Sequence, residues 1–280
     1  MSDKSSHVHR GLRAREASGG GSEPHPDHGD ASELATPGLH AFLTSTVLPR
    51  YAPLTGRACD LGAGTGALTN HLLGRGWHVV PVDRDADRWR SPVPLVAADL
   101  NGTTWQHTVG DGFDLVLAVE VIEHLESPIA FLRTIRALLA PSGIAILTTP
   151  NMDSLAARAK FLFTGRLRAM DSWGDPTHIS PVFRELLARH YLPRAELDLV
   201  ASLTYPQTGY VSGRPLFRRA LNATHRLLGD RLPSGDNLVL ILRPAPHLQP
   251  SASPGGLPVG SAGAADAQPS DSHHAAGQSR

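Results

Sequence analysis

Two short stretches of this chain gather groups able to do chemistry. EVIEHL, residues 120–125, places Glu120, Glu123 and His124 within five positions, directly after the apolar run FDLVLAV. If the hexapeptide turns into a helix, these three stand at i, i+3 and i+4 and project from one face of its first turn as potential metal ligands. In the plain alternative the acids favour a helix N-terminus and His124 packs locally. The hexapeptide alone leaves both readings open.

The second stretch is DLGAGTGALTNHL, residues 60–72. Gly62, Gly64 and Gly66 remove Cβ atoms where a backbone must turn tightly and let a ligand lie against it. With Ala67 they also fit the dinucleotide pattern G-x-G-x-x-G/A, so a nicotinamide or flavin cofactor competes with other adenosine ligands. Asp83, closing HVVPVD, is placed to accept hydrogen bonds from two ribose hydroxyls. Asp99 in AADLNG would receive an exocyclic adenine amine, with the Leu100 backbone N–H aimed at a ring nitrogen. Each Asp alone reads equally as a turn or cap residue; three carboxylates at consecutive strand ends point to adenosine binding.

The elements that must position these groups alternate as in an α/β sheet covered by helices. Strands are expected at 57–61, 78–83, 94–99, 114–119, 143–149, 197–205 and 237–243. Helices are expected in PGLHAFLTSTVLPRY, GALTNHLLGRG, PIAFLRTIRALLAP, PVFRELLARHYL and PLFRRALNATHRLLGD. Segments 1–31 and 247–280 are rich in Gly, Ser, Pro and His and read as disordered tails, which leaves 32–246 as one folded domain. With 26 basic and 26 acidic residues, no global field advertises nucleic acid. A single cysteine, Cys59, excludes an intramolecular disulfide and reads as a buried structural thiol. No signal-like or membrane-spanning run is present, so a cytoplasmic location is expected.

DLGAGTG, VDRD, AADLNG and FDLVLAVEVIEHLESP, in this order, resemble the class I S-adenosylmethionine-dependent methyltransferases. The resemblance implies a Rossmann-like, seven-stranded, mostly parallel sheet with a reversed last strand and helices on both faces. It assigns Asp60 and the glycines to the methionine end of S-adenosylmethionine, Asp83 to the ribose and Asp99 to adenine. Ala118, Val119 and Glu120 would form the floor beneath the sulfonium. The Asn/Asp-Pro-Pro-aromatic motif of base N-methylating enzymes is replaced by Val119-Glu120-Val121-Ile122, and Cys59 lies in the wrong strand for a cytosine C5 nucleophile.

After the fifth strand, about thirty residues intervene before the next helix, longer than ordinary α/β connections. This insert is expected to act as a lid over the acceptor. Glu-x-x-Glu-His followed by the returning His178 resembles small-RNA 2′-O-methyltransferases, where such residues hold a divalent metal, and quinone-biosynthesis O-methyltransferases, which share Glu-x-x-Glu-His. The ligand set implied here is Glu120, Glu123, His124 and His178, and its mixed oxygen and nitrogen donors suit Mn²⁺, Fe²⁺, Co²⁺ or Zn²⁺. Without a metal, His124 or His178, beside Glu123, would serve as general base. No RNA-binding module is visible. The insert mixes Arg158, Lys160, Arg166 and Arg168 with Leu155, Phe161, Leu162, Phe163 and Leu167, which could grip a lipid-linked acceptor or touch a membrane surface, or form an ordinary amphipathic lid. The expected reaction is O-methylation of a small or lipid-linked metabolite. A nicotinamide-dependent oxidoreductase, an RNA 2′-O-methyltransferase and a non-catalytic methyltransferase-like subunit are the competing readings. Oligomeric state is not encoded in any motif.

Overall fold

The computed structural model describes residues 31–246 apart from 103, 173, 214 and 229–232. The expected tails, except at Ala31, lie outside the described residues. Seven strands form one sheet in the order β3-β2-β1-β4-β5-β7-β6. They are β1 (Arg57–Leu61), β2 (His78–Asp83), β3 (Val96–Ala97), β4 (Phe113–Val119), β5 (Leu139–Pro150), β6 (Leu197–Tyr205) and β7 (Asn237–Pro244). The first five run parallel, and β7 is antiparallel to both β5 and β6. The reversed last strand is therefore present, inserted between its neighbours.

Central strands are buried on both faces, which is why FDLVLAV reads as a continuous apolar run. Along β4, Val116 and Ala118 enter one core while Leu115 and Leu117 enter the other, as the pleat requires. On the first face lies α5 (Pro128–Leu138), burying Phe131, Leu132, Ile135 and Leu138. Its start is fixed by Pro128 and by the Ser127 hydroxyl, which accepts the Ala130 N–H. On the second face pack α1 (Leu39–Phe42), a π-helical turn (Leu43–Val47) and α2 (Leu48–Tyr51), together with α3 (Ala67–Leu73). Hydroxyls of Thr44 and Ser45 bond back to carbonyls of His40 and Ala41 at 2.9 and 2.6 Å, loosening the usual spacing there.

Between α3 and β4 lies the short α4 (Gln106–Val109). Expected strand 94–99 shortens to Val96–Ala97, since it is an edge element that opens on two prolines, Pro92 and Pro94. The insert after β5 contains α6 (Leu155–Thr164), capped by the Ser154 hydroxyl and ended by Gly165 in the left-handed region. The helix expected next forms as α7 (Arg184–Leu186), a π turn (Leu187–Tyr191) and α8 (Leu192–Arg194), and α9 (Pro215–Leu228) precedes β7. Cys59 is fully buried, and burial, with the Asp60 charge beside it, pushes its thiol well above the ordinary value.

Candidate active site

The carboxyl ends of β1 to β4 share one cavity of about 790 Å³, at the place between β1 and β4 where strand order reverses. Its first wall is the glycine loop. Gly62 (φ 73°) and Gly66 (φ 90°) occupy the left-handed region. A Cβ on Gly62 would collide with a Val121 methyl, and one on Gly66 would lie 2.8 Å from Ser91 Cβ. Gly62 and Gly64 line the cavity, whereas Gly66 supports the loop from behind.

Asp83 is held in place at its strand end. Its Oδ2 accepts the Gly64 N–H and its Oδ1 the Asp85 N–H, both at 2.8 Å. Asp99 is exposed, with Oδ1 accepting the Asn101 N–H at 2.9 Å, and Leu100 follows it along the wall. Asp60 is buried beneath the loop and accepts the Thr69 hydroxyl at 2.6 Å. Burial pushes its carboxyl up to about 6; the Thr69 bond opposes the shift and the Asp83 charge adds to it. Of the expected floor, Val119 and Glu120 line the cavity, but Ala118 is packed into the core and Val121 takes its place.

EVIEHL does not continue into a helix. Glu120 has φ 54°, its N–H bonded to the Thr148 carbonyl and hydroxyl, and only Ile122–His124 make a single 3-10 turn. The single face anticipated for i, i+3 and i+4 therefore does not form. Glu120 parts from the other two: its carboxylate accepts the Thr36 N–H at 2.8 Å, the Thr36 hydroxyl at 3.0 Å and an amide proton of Asn237. The residues that do converge are Glu123, His124 and His178, each with a ligand-type atom within 4.8 Å of the others.

Glu123 is fully buried and neither carboxylate oxygen has a hydrogen-bond partner among the described residues. Burial pushes its carboxyl up to about 8; its own backbone N–H and the Thr149 hydroxyl, near but outside hydrogen-bond geometry, oppose the rise, and the Glu120 and Asp175 charges add to it. The rings of His124 and His178 meet edge to face with centroids 4.6 Å apart. Burial and the neighbouring His178 lower the His124 pKa. His178 Nδ1 lies 2.9 Å from the Ala169 carbonyl, an atom that only accepts, so this nitrogen carries a proton, and in the neutral ring the lone pair is on Nε2. The insert's contribution to the cavity is its returning end, Asp175, Thr177 and His178. That end is fastened to EVIEHL by the Ile179 and Ser180 amides, both donating to the Glu123 carbonyl at 2.9 Å.

Sequence reasoning missed the segment preceding α1. Leu34, Ala35, Thr36, Pro37 and His40 line the cavity, and the Thr65 hydroxyl holds the Ser32 carbonyl at 2.7 Å. It follows no motif, and its place is revealed by contacts distant in sequence, with Thr65 and with Glu120. Thr177 and Asp175 were also missed, although Asp-Pro-Thr is a recognisable turn signal.

A methyltransferase-domain family profile matches residues 32–202. The chain belongs to this methyltransferase family. Membership decides between the two cofactor readings of the glycine loop: the methyltransferase uses S-adenosylmethionine, and its sheet is the class I architecture. It is similar to ubiquinone biosynthesis O-methyltransferases from Roseobacter denitrificans, at 38% identity over 106 residues, 35% of this chain and 42% of that protein. The Ruegeria pomeroyi protein of the same name is 35% identical over 106 residues, with the same coverage. The chain thus spans under half the length of the curated relatives it matches. In fold it is similar to a chain of the Haloferax volcanii complex between the Trm112 methyltransferase activator and its methyltransferase partner. The TM-score there is 0.50 at 13% identity, covering 75% of this chain and 92% of that one.

Proposed function

We propose that this methyltransferase transfers the methyl group of S-adenosylmethionine to a hydroxyl oxygen of a small or lipid-linked metabolite. The observation that carries the reading is that one cavity is lined both by the glycine loop with Asp83 and by His124 and His178, with Glu123 buried beside the two histidines. Partial similarity to ubiquinone biosynthesis O-methyltransferases supports oxygen as the acceptor atom. Val119, Glu120 and Val121 at the end of β4 would lie below the sulfonium, Asp83 on the ribose, and Asp99 with the Leu100 amide at the adenine edge.

Methyl transfer needs in-line placement of a nucleophile and removal of its proton. The acceptor oxygen forms a bond to the methyl carbon as the carbon–sulfur bond breaks, and that electron pair stays on sulfur as a thioether. The acceptor's proton goes to an imidazole Nε2 of His124 or His178, a step typically worth roughly 10² to 10⁴ in rate. Two imidazole lone pairs and a buried carboxylate without a donor among the described residues also fit a divalent cation. Glu123, His124 and His178 would hold it, Mn²⁺, Fe²⁺, Co²⁺ or Zn²⁺ by donor type. Such an ion supplies Lewis acidity that lowers the pKa of a bound hydroxyl. Glu120 is left out of this set because Thr36 and Asn237 occupy its carboxylate.

Phe161, Leu162 and Phe163 on α6 are 54, 78 and 82% exposed, and Leu216 and Phe217 on α9 are also exposed. These apolar tips, with Arg158 and Arg166 nearby in sequence, suit a lipid-linked acceptor or its membrane. No helix among the described residues is long and apolar enough to cross a membrane. A reducing cytoplasm suits the buried free Cys59.

The test is transfer from S-adenosylmethionine carrying a CD₃ group to a panel of phenols, catechols, hydroxy acids and prenylated phenols, read by mass spectrometry. An O–CD₃ product that disappears in His178→Ala is expected. Product labelled on nitrogen or carbon would contradict the reading.

A further inference from the structure

The turn Asp175-Pro176-Thr177 forms a hydrogen-bonded path that ends on His124. Thr177 Oγ1 lies 2.5 Å from Asp175 Oδ1 and 2.8 Å from His124 Nδ1. The same Asp175 oxygen accepts the Thr177 backbone N–H at 2.8 Å, so it acts as an acceptor. A hydroxyl has one proton, and Asp175 takes it. What remains on Thr177 Oγ1 is a lone pair, which only a protonated Nδ1 of His124 satisfies.

We propose that Thr177 and Asp175 are positioning residues that fix His124 in its Nδ1–H tautomer and so leave Nε2 as the basic nitrogen of the acceptor pocket. A side-chain relay fixes His124 as the Ala169 carbonyl fixes His178, and the two are parts of one device. The Asp175 carbonyl accepts the His178 backbone N–H at 3.1 Å, so the turn that bonds the His124 ring also carries the His178 backbone. Ala169 presents its carbonyl from a left-handed backbone (φ 64°), and Gly174 packs so closely on it that any Cβ there would collide with the Ala169 oxygen. The Ser180 hydroxyl, bonded to the Leu125 carbonyl, fastens the far side of the loop to EVIEHL. The turn thus travels with His124 rather than independently of it. Outer partners of this kind orient an imidazole whether its free nitrogen takes a proton or a metal.

What Nε2 does rests on the O-methyl-transfer reading; its tautomer does not. The experiment is therefore long-range ¹H–¹⁵N correlation NMR on the full, metal-stripped, ¹⁵N-labelled chain, with His124→Gln assigning the ring. The parent and Thr177→Ser should show Nδ1 protonated and Nε2 bare. Thr177→Val, which keeps shape and removes the hydroxyl, should shift His124 toward the Nε2–H form. Asp175→Ala, should the valine variant fold poorly, should give a mixture, since the Thr177 proton is then free to turn toward His124. In the methyl-transfer assay Thr177→Val should lose about ten- to a hundredfold, with Thr177→Ser within a few-fold and S-adenosylhomocysteine affinity unchanged in both. A parent His124 protonated on Nε2, or an unaltered tautomer in both Thr177→Val and Asp175→Ala, would overturn the proposal. The expected tautomers without methyl transfer to any acceptor would uphold it and overturn the O-methyl-transfer reading instead.

Discussion

Asp60 shows how a single buried residue ties stability to pH. Its carboxyl sits at about 6 in the folded chain against 3.8 when unfolded, so the folded state binds more protons between those values. Stability attributable to it therefore falls as pH rises from about 4 to about 6, by on the order of 3 kcal/mol in all. Asp60→Asn keeps an acceptor for Thr69 and removes the ionisation. In urea titrations its stability advantage over the parent should be near zero at pH 4 and grow toward that figure by pH 7; parallel curves would contradict the assignment. Glu123 belongs to the same scale, as a carboxylate buried without a donor among the described residues. After incubation with Co²⁺ and desalting, the parent should retain about one ion per chain, while Glu123→Gln and His178→Ala retain little. Full methyl transfer in excess chelator, with no ion recovered, would leave the imidazoles acting as base alone.

Among the elements, the segment before α1 and the insert after β5 reach the cavity from parts of the chain more than a hundred residues apart. Glu120 fastens the first through Thr36 and joins it to β7 through Asn237. Hydrogen bonds to charged groups contribute roughly 1.5–3 kcal/mol each. Glu120→Ala should accordingly speed hydrogen exchange at residues 32–38 and weaken S-adenosylhomocysteine several-fold; unchanged exchange would show that the segment is held elsewhere. Within the insert Lys160 pairs with Asp171 at 2.8 Å, and Arg168 fastens the insert to Asp236. Strands were legible because burial on both faces writes an apolar run that only a central strand satisfies, and the strand-end carboxylates because Asp83 and the glycines sit at fixed offsets from those runs. Glu120 was misread because its spacing is helical while its backbone is left-handed, a choice made by Thr148 on the neighbouring strand. Contacts spanning 84 or 117 residues, such as Glu120 with Thr36 or Asn237, leave no local trace. His178 was legible only as the residue that returns from the insert. Its pairing with His124 depends on the Glu123 carbonyl capturing two amides of that returning strand of chain.

At the scale of the whole molecule, the two walls of the cavity come from different parts of the chain: the ends of β1, β2 and β3 with the glycine loop on one side, the turn after β4 and the end of the insert on the other. In the proposed function the first wall takes the methyl donor and the second the acceptor. Changes on one wall should therefore leave the other's function nearly intact. The most direct measurement is calorimetric titration of the full chain with S-adenosylhomocysteine, beside Asp83→Ala and His178→Ala. One molecule per chain should bind, about tenfold or more weakly in Asp83→Ala through loss of charge-assisted ribose hydrogen bonds, and within a few-fold of the parent in His178→Ala. Absence of binding to the parent, or undiminished affinity in Asp83→Ala, would contradict the account.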